Sequence, residues 1–173
     1  MGICGWMQYV RDATRTLRVD LQAAPPSVPQ ARALVRAMAR EHGAGTQDQE
    51  RIGLAVSEAV TNAVVHAYAD ISGSLVSLWA VAARDEIWVL VADDGCGLGA
   101  AAQSCGLGLG VPIMEHSCDA LGIKRRAAGG TLVEMRFCLS ARALTTSGLG
   151  SRAEEGSLAP EVGVTLMLCE PCC

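Results

Sequence analysis

One long segment, residues 48–68, constrains the fold most strongly, because its apolar side chains recur at helical spacing. Apart from Glu58, Asn62 and His66, the predicted helix is largely apolar, so both of its sides require burial. A helix of this kind needs other secondary-structure elements packed against it. The apolar positions are Ile52, Ala55, Val56, Ala59, Val60, Ala63, Val64 and Ala67.

The remaining hydrophobic pattern predicts strands on both sides of a pair of helices. Residues 15–21 alternate between polar and apolar side chains, as a half-buried strand does, and a helix is predicted at 28–41. A short helix is predicted at 113–118. The other strands are predicted at 75–82, 86–92, 122–126 and 131–139, with the first two joined as a hairpin. This order predicts an α+β fold arranged as a two-layer sandwich.

Capping residues predict where the two long helices begin and where the first one ends. Ser27 is expected to cap the helix at 28–41. Thr46, with Gln49 three residues later, is expected to form a capping box for the next helix. His42 at the end of the first helix is interpreted as a cap.

Composition and charge exclude several classes of protein. The net charge is −4 and charged residues make up 18% of the 173 residues, which argues against a nucleic-acid-coating protein and against a disordered polyelectrolyte. No stretch approaches the roughly 20 apolar residues of a membrane span, and the N-terminus lacks the basic start of a signal peptide. We therefore expect a cytoplasmic protein with no membrane or direct nucleic-acid partner, whose isolated cysteines are free thiols.

One working domain is predicted at residues 15–139, where all the periodic segments fall. Residues 1–14 are interpreted as an N-terminal extension, and residues 140–173 as a flexible C-terminal tail. Within the tail, the apolar residues 162–168 are a less favoured candidate for an extra strand. The cysteines at its end lack a second ligand pair, so zinc binding is disfavoured.

Three polar residues stand on the otherwise apolar helix at 48–68. Glu58, Asn62 and His66 are spaced at i, i+4 and i+8 and therefore share one stripe. A carboxylate and a carboxamide on a buried helix are costly unless a ligand, a metal or another group pairs with them. The alternative on this pattern alone is a stripe that faces solvent.

A second candidate site follows the predicted strand at 86–92. Asp93 comes directly after this strand and before Gly95 and Gly97, so its carboxylate can be held inside the fold where it accepts hydrogen bonds from an exocyclic amine. An ordinary acidic turn is the alternative. The turn that ends in Gly130 and Thr131 places a hydroxyl at the edge of the last strand.

Glycines also lead directly into the short helix predicted at 113–118. Gly108 and Gly110 stand before it, and backbone amides at a helix N-terminus favour anions such as phosphate. The glycines at 95–99 loosely mimic a dinucleotide fingerprint, but the residues that follow are too short and too glycine-broken for a crossover helix. A P-loop is absent from the sequence, and Lys124 is its only lysine, so phosphate binding has to proceed without a P-loop lysine.

Taken in order, these segments resemble the four sequence boxes of the GHKL ATPase superfamily, in the form used by bacterial anti-sigma factor serine kinases. Residues 58–68 (EAVTNAVVHAY) resemble the N-box. The matches to the first, second and third glycine boxes lie at residues 93–97, 108–115 and 130–131, respectively. The similarity covers about residues 16–138. It implies the Bergerat type of ATP-binding fold, with a mixed, mostly antiparallel sheet covered by helices on one face.

The resemblance implies a role for each matching polar residue. Glu58 is expected to be the general base that accepts the proton of a substrate serine, and Asn62 to coordinate the Mg²⁺ that bridges the ATP phosphates. His66 is expected among the nucleotide-binding residues. Arg32 matches a family arginine that is associated with partner contact.

The glycine boxes carry the rest of the expected nucleotide site. Asp93 is expected to bind the adenine amine and Thr131 to support the adenine side. Gly95 and Gly97 are expected to shape the adenine pocket. Gly108 and Gly110 are expected to bind the phosphates through their backbone amides.

The implied function is that of an ATP-dependent serine protein kinase and anti-sigma factor. It is expected to phosphorylate a STAS-type anti-sigma factor antagonist, to sequester a sigma factor and to form a homodimer. Residues 99–107 form a shorter ATP lid than family members generally have, which places efficient phosphoryl transfer in question. The alternative is therefore a regulatory module that binds nucleotide and partner without efficient transfer. A sensor histidine kinase is disfavoured, because no dimerising helix pair precedes the first strand.

Overall fold

The structure, a computed structural model, describes residues 12–67, 74–95, 109–127 and 129–140. Its helices are α1 (Ser27–Glu41), α2 (Thr46–Asn62) and α3 (Gly110–Ser117), and a π-helical turn, Ala63–Ala67, continues α2. The strands are β1 (Arg15–Gln22), β2 (Leu75–Ala83), β3 (Glu86–Ala92), β4 (Ala120–Arg125) and β5 (Thr131–Cys138). The α+β class predicted from the sequence is confirmed.

The strands form one sheet in the order β1-β2-β3-β5-β4. Every neighbouring pair among these described strands is antiparallel, so the mixed component expected from the family resemblance is not seen in them. The register sets Leu78 opposite Val91, and Val91 opposite Val133. Inward-facing apolar side chains thus line up across three strands.

The helices cover one face of the sheet, as the resemblance implied. Val35 of α1 and Ile52 and Val56 of α2 are fully buried in the same cluster as the inward side chains of the strands. Burying a side chain of this size contributes about 1.5–3 kcal/mol. The two helices pack closely at Gly53, where an added Cβ would lie 2.7 Å from Cδ of Arg36.

The two predicted N-terminal helix caps are wrong, whereas His42 lies at the C-cap of α1 as predicted. Ser27 is the first residue of α1 rather than its cap, and its hydroxyl donates to the carbonyl of Gln22. Thr46 likewise lies inside α2, whose N-cap is Gly45 and makes no side-chain hydrogen bond. Gln49 donates instead to the Ala44 carbonyl. The side chains of Ser27 and Gln49, which the local sequence assigned to caps, thus each donate to a nearby backbone carbonyl instead.

His42 lies at the C-cap position of α1 and is buried. Its Nδ1 lies 3.1 Å from Oγ1 of Thr14, and its Nε2 lies 2.7 Å from the carbonyl oxygen of Arg84. The ring therefore connects the end of α1 to the start of β1 and to the turn between β2 and β3.

Two helix boundaries near the candidate site also differ from the predicted ones. The α-helical part of the segment predicted at 48–68 ends at Asn62, and the π-helical turn follows. The short helix begins at Gly110 instead of residue 113. Pro112 is tolerated in its first turn, because the amide that proline lacks has no helical partner there. None of the helices in the described residues is long and apolar enough to cross a membrane.

Candidate nucleotide site

Glu58 and Asn62 lie one turn apart on α2, and both side chains lie close to the first residue of α3. A Cβ added to Gly110 would lie 3.2 Å from Oε2 of Glu58 and 3.4 Å from Oδ1 of Asn62. Both side chains are half-buried, not directed into bulk solvent. A carboxylate, a carboxamide and the start of a helix thus meet at one place, and any larger residue at position 110 would crowd them.

The start of α3 is suited to anionic ligands. The amides of Gly110 and Val111 lie in the first turn, where helical N–H groups have no partner within the helix. Those amides carry the positive end of the helix dipole, which attracts phosphate and carboxylate groups. The site therefore offers donors for a phosphate next to the two side-chain oxygen acceptors of Glu58 and Asn62.

The oxygen atoms at this place are ligands of the type that Mg²⁺ prefers. The described ranges contain no group of three His, Cys, Asp or Glu side chains that could hold a metal ion by themselves. Magnesium usually binds through one or two protein groups together with substrate phosphates, and Asn62 beside the phosphate-binding end of α3 fits that arrangement. The residues present therefore fit a Mg·nucleotide complex.

Asp93 lies directly after β3 and is buried. Its Oδ1 accepts hydrogen bonds from the amides of Gly95, at 2.9 Å, and Thr131, at 3.2 Å. Its own amide donates to the Thr131 carbonyl at 3.0 Å. These bonds fix the carboxyl group between the end of β3 and the start of β5.

The electrostatic surroundings of Asp93 act in opposite directions. Burial raises the pKa of its carboxyl group, whereas hydrogen bonds from Gly95 and Thr131 and the charge of Arg126 lower it, and the net pKa is raised. Arg126 also donates to the Asp93 carbonyl at 2.9 Å and pairs with the Asp94 carboxylate. An acceptor held at the end of a buried strand suits recognition of an amine.

The turn before β5 approaches Asp93 so closely that only glycine fits at position 130. Gly130 has φ +80°, and a Cβ there would lie 1.9 Å from the carbonyl oxygen of Asp93. Gly129 also has a positive φ, +99°, but an added Cβ would meet nothing within 4 Å. The first glycine therefore shapes the turn, and the second allows the turn to pack against the Asp93 backbone.

The family of histidine kinase-like ATPase domains matches residues 21–137. The chain belongs to this family. The resemblance to GHKL ATPases that the four boxes indicated is thereby confirmed, and membership implies that the domain binds ATP. The curated proteins include no match to the chain.

A solved structure is also similar to this ATPase domain. It is the crystal structure of the RsbU and RsbW domains of Rv1364c from Mycobacterium tuberculosis, with 29% sequence identity and a TM-score of 0.58. The similarity covers 73% of this chain and 33% of that one, so the domain corresponds to about a third of the longer protein.

Not every residue expected at the nucleotide site of this ATPase domain is brought into it by the described structure. Gly97, Gly108 and the lid at 99–107 lie outside the described residues, as does the side chain of His66. The backbone of His66 belongs to the π-helical turn, so the α-helical spacing behind the predicted stripe ends at Asn62. Arg32 lies exposed on α1, with its stem beside Gly53.

One residue of the Asp93 site, Arg126, was not predicted from the sequence. Arg126 contacts both the Asp93 carbonyl and the Asp94 carboxylate, although it lies far along the chain. An isolated arginine between a strand and a turn carries no periodicity and no motif, so no sequence signal assigned it.

Proposed function

We propose that this ATPase domain is a Mg·ATP-dependent serine protein kinase and an anti-sigma factor. It phosphorylates a STAS-type anti-sigma factor antagonist and sequesters a sigma factor in the cytoplasm, and the activity belongs to residues 15–139. The observation that carries the proposal is the close approach of the Glu58 and Asn62 side chains to Gly110 at the start of α3. Phosphoryl transfer to a hydroxyl requires a proton acceptor and charge neutralisation at one place, and this arrangement supplies both.

Glu58 is the general base in this proposal. Transfer to a serine hydroxyl releases a proton, which Oε2 of Glu58 accepts while the serine oxygen bonds to the terminal phosphorus. The bond from that phosphorus to the bridging oxygen breaks, and ADP leaves. The half-buried position of Glu58 next to the phosphate-binding end of α3 supports this role. Its neighbour Ser57 is an unsuitable nucleophile, because its hydroxyl is buried and donates to the Gly53 carbonyl.

Asn62 would hold the magnesium ion through Oδ1. Bound there, the ion supplies neutralisation of the phosphate charge. The first-turn amides of Gly110 and Val111 bind phosphate oxygens. Glu58 and Asn62 thus have separate tasks, since one handles the proton and the other orients the nucleotide.

The Asp93 region binds the adenine end. Its buried carboxyl accepts the exocyclic amine, while Thr131 and Gly95 hold it in place. We propose that this region and the Glu58 cluster face one cleft. In support, Arg51, near the start of α2, donates to the Cys138 carbonyl at the end of β5. Glu58 and Asn62 lie toward the other end of α2, and Asp93 and Thr131 lie at the other end of β5.

Partner binding belongs to the exposed surface of α1 in this proposal. Arg32 lies there with its side chain exposed, so an acidic group on the antagonist or on the sigma factor can reach it. We also propose that the domain acts as a homodimer, as the family resemblance implies.

The experiment is a transfer assay with γ-labelled ATP, Mg²⁺ and STAS-type antagonists. The wild-type chain is expected to yield phosphoserine, and Glu58→Ala is expected to yield none. Glu50→Ala is the matched control, because Glu50 is an exposed glutamate on the same helix. Binding of candidate sigma factors is measured with the same proteins.

Two outcomes decide between the alternatives. Labelling that survives Glu58→Ala contradicts the assigned base. Nucleotide binding without transfer to any antagonist supports instead a regulatory module that binds nucleotide and partner, and contradicts the kinase proposal.

A further inference from the structure

Arg51 joins elements that are far apart in the sequence. It lies in the second turn of α2, and its guanidinium group donates hydrogen bonds to side-chain and backbone acceptors on α2 and on other elements. The acceptors are Oδ1 of Asp48 at 2.8 Å, Oδ2 of Asp119 at 3.0 Å, and the carbonyl oxygens of Ser117, at 3.2 Å, and Cys138. One side chain therefore connects α2 to the end of α3 and to the end of β5.

The contacts at the two ends of α3 show how it lies on α2. Ser117, the last residue of α3, accepts a hydrogen bond from Arg51 near the start of α2. Gly110, the first residue of α3, lies against Glu58 and Asn62 near the end of α2. The two helices are therefore antiparallel neighbours. Since α3 is only about 12 Å long, a displacement of its C-terminal end is transmitted to Gly110.

The contact between Arg51 and the end of α3 is tightly built. Asp48 is buried, and its Oδ2 accepts the amide of Ser140 at 2.9 Å. The guanidinium carbon of Arg51 lies 5.6 Å from the centre of the Phe137 ring. Burial lowers the pKa of Arg51, but the hydrogen bonds to Asp48 and Asp119 outweigh that effect and the net pKa is raised. The cation is thus held in one geometry.

The other anchor of α3 differs in kind. Met114, in the middle of α3, is fully buried in the core. A flexible apolar side chain fixes how deeply the helix packs, but it resists sliding along the helix axis weakly. The directional hydrogen bonds of Arg51 to Ser117 and Asp119 add a restraint along that axis. They act together with two bonds between Asp119 and β5, in which the Asp119 amide donates to the Arg136 carbonyl at 2.8 Å and its Oδ2 accepts the Cys138 amide at 2.7 Å.

We propose that Arg51 is a positioning residue that sets the distance between Gly110 and the Glu58–Asn62 pair by holding the C-terminal end of α3. Its effect on phosphoryl transfer rests on the proposed kinase function, whereas its effect on the position of Gly110 does not. Lysine cannot replace it, because a single ammonium group cannot span acceptors on three elements as the planar guanidinium does.

The test uses the full chain and three variants. Arg51→Met removes the contacts, and Arg51→Lys keeps the charge but not the multiple acceptors. Arg15→Met is the matched control, because Arg15 forms an exposed 2.8 Å pair with Glu41 at a place remote from α3. Asp119→Asn is a milder second route to the same end of α3, for use if Arg51→Met does not fold.

The first measurement is made without nucleotide. In the ¹⁵N-glycine-labelled chain, the Gly110 amide resonance, assigned with Gly110→Ala, is expected to shift in both Arg51 variants and in Asp119→Asn. It is expected to stay in place in Arg15→Met. An unchanged Gly110 resonance in folded Arg51 variants overturns the positioning role, whether or not the chain is a kinase.

The second measurement is transfer kinetics at temperatures where every variant is folded. Arg51→Lys is expected to retain most of the stability, with kcat lowered about 10- to 100-fold and with KM for the antagonist nearly unchanged, since small misplacements of catalytic groups are that costly. If Arg51→Lys restores kcat, Arg51 acts only through its charge and the proposal is wrong. If the wild-type chain transfers no phosphate, the kinase proposal fails, and the Gly110 resonance decides the positioning role.

Discussion

Replacing Gly130 with alanine tests how closely the turn before β5 packs against Asp93. The added Cβ would lie 1.9 Å from the Asp93 carbonyl oxygen, 2.6 Å from its carbonyl carbon and 2.7 Å from Cα of Asp94. These neighbours are backbone atoms, so they cannot move aside by a change of rotamer. The turn or the end of β3 has to shift instead.

The cost of this substitution has two parts. A non-glycine residue at φ +80° costs about 1–2 kcal/mol. A shift of the turn also breaks the two bonds between Asp93 and the amide and carbonyl of Thr131, at about 1 kcal/mol each. We expect Gly130→Ala to lower the free energy of unfolding by about 3–4 kcal/mol.

Gly129→Ala is the matched control, because it carries a positive φ without the contact. An added Cβ there meets nothing within 4 Å, so the expected loss is only the conformational part, about 1–2 kcal/mol. Urea unfolding of both variants and of the wild-type chain measures the difference. Equal losses for the two variants would refute the argument that Gly130 is required by contact with Asp93.

Three further predictions concern the site and its surroundings. Gly110→Ala is expected to change the free energy of unfolding by less than about 1 kcal/mol but to weaken ATP binding, measured with a fluorescent nucleotide, because the methyl group crowds Glu58; unchanged affinity would contradict this. Asp93→Asn is expected to weaken ATP binding as well. It should also remove one pH effect: the raised pKa of Asp93 means that the folded state binds the proton more tightly, so the stability of the wild-type chain falls as pH rises from 3.8 through the folded-state pKa. Urea unfolding over that range checks the slope, and an unaltered slope in the variant would exclude Asp93 as its source. Burial, and then the Asp119 charge, raises the pKa of Cys118 to about 11, so alkylation at pH 8 followed by mass spectrometry should show a reaction roughly 100-fold slower than that of an ordinary thiol; a rate equal to that of free cysteine would be incompatible with the burial.

The sequence predicted the elements of this fold because their hydrophobic periodicity is strong. β1, α1, β2, β3 and β5 lie within a residue or two of their predicted bounds. The N-terminal caps were predicted poorly, since they depend on which acceptors lie nearby in space. Ser27 meets the Gln22 carbonyl only because the chain folds back after β1.

The start of α3 was misplaced for a similar local reason. The helix predicted at 113–118 starts directly after Pro112. The first turn of a helix tolerates proline, however, and α3 begins at Gly110. This difference matters for the site. It places the amide of Gly110 within the first helical turn and beside Glu58.

The residues of the candidate site divide into those that a sequence motif marks and those that only contacts in the folded chain reveal. The family boxes singled out Glu58, Asn62 and Asp93, because each lies in a string of characteristic residues. Arg51 and Arg126 act through partners distant in the sequence, such as Asp119 and the Asp93 carbonyl. Contacts of this kind emerge only when the chain is folded, so single arginines give no pattern to find.

The most direct test of the central claim separates the chemical step from nucleotide binding. Glu58→Gln keeps the size and hydrogen-bonding shape of the side chain but cannot accept the serine proton. In single-turnover transfer from saturating Mg·ATP to the antagonist, we predict a rate about 10²- to 10⁴-fold lower than wild type with little change in ATP affinity. A Glu58→Gln variant that transfers phosphate at the wild-type rate would contradict the account.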